Sequence, residues 1–154
     1  MKKLLYILLA LAALGASACH IVTQGKEREL NLKYLDARRA YTLHGDHDKA
    51  FPLLTELVEL EYPLAFYELG VMYEKGEGTT ADLNKATALY KQGHPYLLKT
   101  ADKNDDSALS YLREMYLYGR GVTVDRDRAK GYFQRIKHEL RSEYVKQKLA
   151  ETEG

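Results

Sequence analysis

The chain has 154 residues, 23 of them basic and 22 acidic, a balance that excludes any strong pull towards nucleic acid or anionic lipid. Its single cysteine excludes an internal disulfide, so stability has to come from packing. Thirteen tyrosines, no tryptophan and three prolines are the remaining marks of its composition.

Lys2 and Lys3 precede an apolar run from Leu4 to Leu14, then small residues at Gly15, Ala16, Ser17 and Ala18. This order reads as a secretory signal at residues 1–18, too short to span a bilayer as a helix. Cys19 follows at once, and Ala16-Ser17-Ala18-Cys19 resembles the bacterial lipobox. That resemblance implies lipid attachment at Cys19, by acyl chains of the palmitate kind, each buried methylene contributing about 0.8 kcal/mol. Cleavage after Ala18 by an ordinary signal peptidase, leaving a free thiol, is the other reading. Position 20 is His20 rather than aspartate, which by the same resemblance points to the outer membrane, facing the periplasm. Without the signal about 135 residues remain, enough for one domain, with 21 basic against 22 acidic.

Residues 19–25 read as a short lipidated tether. From about Lys26 the apolar spacing turns helical, with Leu30, Tyr34, Ala37 and Tyr41 on one stripe. Gly45-Asp46 should end that helix. A second should start near His47 and carry Ala50, Phe51, Leu54, Leu57 and Val58, with Pro52 tolerated in or near its first turn.

From Ala65 the chain begins to repeat itself. A shift of 43 positions lays Ala65–Ala86 on Ala108–Ala129 with nine identities, among them Leu69 on Leu112, Tyr73 on Tyr116 and Asp82 on Asp125. Ala65, Leu69, Met72, Tyr73 and Gly76 stand at i, i+4, i+7, i+8 and i+11, one stripe of a helix. Gly76 and Gly119 sit where that helix should end, and Gly78 and Gly121 keep the following turn tight. Asp82 and Asp125 suit the N-cap of the next helix. Each copy is thus a helix hairpin that must stack on others to bury its apolar face.

Asp46 to Ala50 repeats the same cap-and-helix pattern, which makes three hairpins, at about 26–61, 63–104 and 106–137. The second is some seven residues longer, and Gly93, His94 and Pro95 should kink or interrupt its second helix. Asp105, Asp106 and Ser107 offer caps for the third hairpin. After Ala129 an apolar stripe of Phe133, Ile136, Leu140, Tyr144 and Leu149 continues towards the terminus. It reads as a cap at 138–152, either separate from the third hairpin or continuous with it.

The residues Ala65, Leu69, Gly70, Tyr73, Gly76, Gly78, Asp82, Lys85, Ala86 and Tyr90 resemble the Sel-one-like repeat, a tetratricopeptide-like α/α repeat. Ala108 to Phe133 match it with Arg113 in place of glycine, and the first hairpin looks like an ordinary tetratricopeptide repeat. The resemblance implies an all-α fold, a superhelix of three helix pairs plus a C-terminal capping helix, in a protein that binds other proteins. Cysteine-rich relatives have been linked to β-lactams, but this chain lacks their paired cysteines, so a hydrolase is the weakest reading.

Chemistry is otherwise missing from the pattern. There is no nucleophile elbow, no phosphate loop after a strand and no zinc spacing, so no catalytic, cofactor or metal residue is assigned. His44, Asp46, His47 and Asp48 read as cap and turn, and Glu56, Glu59 and Glu61 as a solvated face.

Repeat arrays usually bind along the surface made by the first helix of each pair. On 65–75 the face opposite the stripe carries Tyr67, Val71 and Glu74. The next copy places Ser110, Glu114 and Leu117 there, with Arg113 beside them. Apolar groups on a face that should be wet mark a candidate partner-binding surface, although packing between repeats would bury the same groups, while Tyr73 and Tyr116 belong to the core. The expectation is a lipid-anchored periplasmic adaptor for a protein or peptide partner in an envelope or secretion assembly. A glycan-binding module with exposed tyrosines as stacking platforms is the alternative.

Overall fold

The computed structural model describes residues 24–152, with side chains as far as 138 and at 141. The signal, Cys19 and the tether up to residue 23 lie outside the described residues. Residues 24 and 25, assigned above to the tether, are already helical. The elements are α1 (24–39, closed by a π turn at Ala40–His44), α2 (His47–Glu59), α3 (Pro63–Lys75), α4 (Leu83–Ala101), α5 (Asp106–Tyr118) and α6 (Arg126–Thr152). No strand occurs among the described residues. The fold is the all-α repeat superhelix of three helix pairs.

The expected boundary residues do their expected work. Gly45, Gly76 and Gly119 end α1, α3 and α5 in the left-handed region, with φ of 60°, 74° and 75°. Asp46, Asp82 and Asp125 each accept a backbone N–H three residues on, from Lys49, Lys85 and Arg128, at 3.0 Å. Asp105 does the same for Ala108 at 2.8 Å. The 43-residue period survives bond for bond: the Gly76 and Glu77 amides donate to the Met72 carbonyl, and those of Gly119 and Arg120 to the Met115 carbonyl.

The alanines of the repeat let helices approach. Ala50, Ala86 and Ala129 are at most 4% exposed, and the stripe residues Ala65, Leu69, Met72, Ala108, Leu112 and Met115 are buried with them. Tyr116 is core as expected, while Tyr73 is half-buried, edge-on to Phe51 at 5.4 Å. Pro52 lies deeper than the first turn, as the sixth residue of α2. It is exposed, so the carbonyl it leaves without a partner can turn to water.

One expectation about helix ends is corrected, and one open alternative is decided. The seven extra residues do not interrupt α4, which runs unbroken for 19 residues through Gly93, His94 and Pro95. Gly93 is there for contact rather than for a break: a Cβ on it would lie 2.4 Å from the Cβ of Phe66, so α3 and α4 cross where only hydrogen fits. Of the two alternatives for residues 138–152, the continuous helix is the one observed. These residues continue α6, which is 27 residues long and roughly 40 Å at 1.5 Å per residue, twice the length of α5. The sequence between 126 and 152 holds no proline, and its single glycine, Gly131, is accommodated inside the helix.

Phe133 also departs from the stripe expected of it and is 42% exposed. Its counterpart in the earlier copy, Tyr90, packs against Gly70, where an added Cβ would meet the ring at 2.5 Å. Arg113 stands at the position of Gly70, and a side chain there closes the slot to the aromatic ring.

A polar cluster at the centre of the inner face

The first helices of the three pairs, α1, α3 and α5, form the inner face. Tyr34 on α1 reaches over α3 to Tyr111 on α5, hydroxyl to hydroxyl at 3.1 Å. Beneath them Glu68 of α3, 6% exposed, is the one buried charged residue among those described. Its Oε1 accepts from the Tyr34 hydroxyl at 2.8 Å and from the Tyr111 hydroxyl, while its Oε2 is enclosed without a partner. Burial pushes the Glu68 carboxyl above its usual range, against the pull of the two hydroxyls and of Arg38, whose Nε stops 3.9 Å from Oε1.

A second cluster sits one helix turn further on, around a residue that the repeat pattern did not single out. Arg120, between the two loop glycines, grips Glu74 with two parallel bonds of 2.9 and 3.0 Å. Its Nη1 also donates to the Tyr67 hydroxyl at 2.5 Å and to Glu114 at 3.2 Å. The rings of Tyr67, Tyr90 and Tyr118 surround the guanidinium at 5.5–5.9 Å. A forked, planar cation among carboxylates and aromatic faces is the arrangement arginine suits and lysine does not. Burial pushes Glu74 up, but the Arg120 and Tyr90 donors outweigh it and hold the carboxyl below its usual range.

This arrangement separates the candidate binding residues. Tyr67 does not face water: it is 4% exposed, stacked on Tyr111 at 4.4 Å and bonded to Glu114 at 2.5 Å. For Tyr67 the packing alternative holds, because α5 lies directly against α3. Val71, Glu74, Ser110, Arg113 and Glu114 are half-buried, and Leu117 is 38% exposed. Val71 and Glu114 come together in one hollow, and the edge of Tyr67 borders it. Glu74 is drawn towards the outer loop by Arg120, and Ser110, Arg113 and Leu117 line no part of that hollow.

The hollow measures about 360 Å³ and is walled by Arg38 and Tyr41 of α1, Val71 and Lys75 of α3, and Tyr111 and Glu114 of α5. A larger one, about 670 Å³, opens at the other end of the same helices between Leu30, Asn31, Tyr62, Leu64 and Asp105. Tyr34, Glu68 and Tyr111 stand between the two. The inner surface is therefore a pair of lobes divided by a polar bridge, and not one open channel. Neither Glu68 nor Arg120 was legible as functional, yet each had a signal. Glu68 shares its repeat position with Tyr111, and Arg120 shares its position with Glu77, so adjacent copies carry complementary groups at the same place.

Burial raises the hydroxyls of Tyr34, Tyr41, Tyr67, Tyr90 and Tyr111, and that of Tyr62 to about 12. Unfolded tyrosines release their protons near pH 10. Above that pH the folded chain therefore binds more protons than the unfolded one, and stability falls as pH rises. The expected outcome is a urea midpoint that is flat from pH 8 to about 9.5 and drops steeply beyond pH 10. A midpoint unchanged up to pH 11 would mean that these hydroxyls are not enclosed.

Among the described residues no helix is long and apolar enough to cross a membrane. No group of three or more histidine, cysteine, aspartate or glutamate side chains is placed to hold a metal there. Comparison with curated proteins returned no match. Among solved structures, a Sel1 repeat protein from Oxalobacter formigenes aligns at 22% identity and a TM-score of 0.48, over 71% of this chain and 43% of that one. The uropathogenic Escherichia coli protective antigen c5321, which displays an SLR fold, aligns at 21% identity and a TM-score of 0.48, over 74% of this chain and 24% of its own. The chain thus spans less than half the length of either. The Sel1 repeat profile matches residues 63–93 and 107–136, the two segments whose caps, glycine turns and buried stripes coincide bond for bond. Those two segments match the Sel1 repeat, and the match is confined to them.

Proposed function

We propose that the protein is a non-enzymatic scaffold, anchored by lipid at Cys19 to the outer membrane, that holds a protein or peptide partner of an envelope or secretion assembly on its periplasmic side. Sel1 repeats commonly mediate protein–protein interaction. Arrays of this kind bind along the inner face. The observation that carries the reading is the hollow between α1, α3 and α5, in which Val71 and tyrosine rings meet charged groups from three helices. The glycan alternative called for exposed tyrosine platforms, and Tyr67, the tyrosine of the candidate face, is buried.

A photo-reactive amino acid at Val71 should form a discrete adduct with one envelope protein in living cells, and the same probe at Gln92, exposed on α4, should not. Equal labelling from both positions would remove the inner face as the docking surface. In the same cells Cys19→Ser should move the protein out of the membrane fraction. Continued fatty-acid labelling of that variant would refute the anchor.

A further inference from the structure

The smaller inner lobe has used its acceptors and left its donors open. Glu114 commits Oε2 to Tyr67 and Arg120, and its Oε1 lies 3.4 Å from Arg113. Glu68 gives Oε1 to two tyrosine hydroxyls, and its Oε2 is sealed from solvent. Arg120 is spent on Glu74, Glu114 and Tyr67. The two cations at the mouth differ from it. Among the described residues the Arg38 guanidinium makes no hydrogen bond, its nearest carboxylate being Glu68 at 3.9 Å. Lys75 has only a long contact of 3.5 Å with the Tyr41 hydroxyl, and Glu77 at 3.7 Å. Their side chains are 45% and 51% exposed.

We propose that this lobe receives an acidic side chain from an extended segment of the partner protein, with the carboxylate seated between Arg38 and Lys75 and the neighbouring residues resting on Val71 and Tyr41. The proposal rests on the partner-binding reading above and adds its chemistry. Arg38 offers a planar fork matched to a carboxylate, and Lys75 a mobile point charge. The bridge of Tyr34, Glu68 and Tyr111 closes the lobe on one side, so it admits a side chain rather than a long run of peptide. At about 360 Å³ it lies at the small end of ligand pockets. Burial also keeps Glu68 above the usual carboxylate range, which weakens its claim on Arg38.

The test is calorimetric titration of the folded protein with a blocked peptide of alternating glutamate and valine, and with its glutamine counterpart. The glutamate peptide should bind about tenfold more tightly, and Arg38→Gln or Lys75→Gln should each remove about that factor. Lys99→Gln, at an exposed site on α4, should leave binding unchanged, and all three variants should keep the parent melting curve. Affinity should fall as salt rises. Equal binding of the two peptides, or full binding by both lobe variants, overturns the proposal. So does inorganic phosphate competing as well as the peptide, which would mean bare anion attraction. If only a glutamine peptide with a free C-terminal carboxylate binds, the lobe recognises chain ends, and the side-chain proposal is wrong. Adducts at Val71 in cells without acidic-peptide binding would leave the scaffold standing and remove this chemistry alone, whereas absence of both would remove the scaffold as well.

Discussion

Replacing Gly121 with alanine should cost about 3 kcal/mol and lower Tm by roughly 10 °C. Two separate penalties add. At φ +70° an alanine is strained by about 1–2 kcal/mol. Its Cβ would also lie 2.6 Å from the Tyr90 Cβ and 2.7 Å from the Lys91 amide nitrogen, backbone that no rotamer change can move. Overpacking of that kind typically costs about 1–3 kcal/mol. Gly45→Ala isolates the first penalty, since its φ is +60° and nothing lies within 4 Å of the added carbon. Gly119→Ala falls between them, with a flexible Val124 methyl at 3.0 Å. Urea titration of the three variants should rank Gly121 well above Gly119, and Gly119 at or above Gly45. Equal losses would mean that the second loop is not seated against α4.

Removing the buried carboxylate should separate shape from charge. Glu68→Ala is expected to destabilise by about 2 kcal/mol, because the Tyr34 and Tyr111 hydroxyls lose their common acceptor in an enclosed site. Glu68→Gln retains one acceptor and the same shape and should stay within about 1 kcal/mol of the parent. Their pH dependence carries the diagnosis. The folded carboxyl titrates above the unfolded one, so between the two values the folded state holds the extra proton. Stability contributed by Glu68 is then present at low pH and declines as pH rises through that window, starting near the ordinary glutamate value of about 4.3. Stability of Glu68→Gln relative to the parent should therefore grow as pH rises from 4 towards neutrality. A constant difference across that range would show that Glu68 ionises as it would in water, and that the bridge between the two lobes is open to solvent.

These two sites also show how differently parts of the molecule were legible. The loop glycines announced themselves through their period. Gly76 and Gly119 were read correctly as helix stops, because the conformation at a helix end is a local property. What Gly78 and Gly121 touch was not legible, since the His47 carbonyl and the Lys91 amide belong to the outer helix of the preceding pair. Pro95 shows the other side: a local rule predicted a kink or an interruption, and with α4 packed along α3 the helix is not interrupted there. Tyr67 was placed on the wet face by counting 100° per residue along one helix. Periodicity reports which residues share a face, and it cannot report whether a neighbouring helix covers it.

The order of residues by itself determined the helix pairs, their caps and turns, the alanine seams and the two segments that match the Sel1 repeat, because caps, left-handed glycines and apolar stripes act within a dozen residues. Only the tertiary structure decided that Tyr34 meets Tyr111 over Glu68, that Arg120 is enclosed by five residues from three helices, and that the inner face is split into two lobes. The bonds of Tyr34 to Glu68 and Tyr111, and of Arg120 to Glu74 and Tyr67, join positions 34 to 77 residues apart. Their partners are chosen by the curvature with which pairs stack, and no residue along the chain carries that curvature alone.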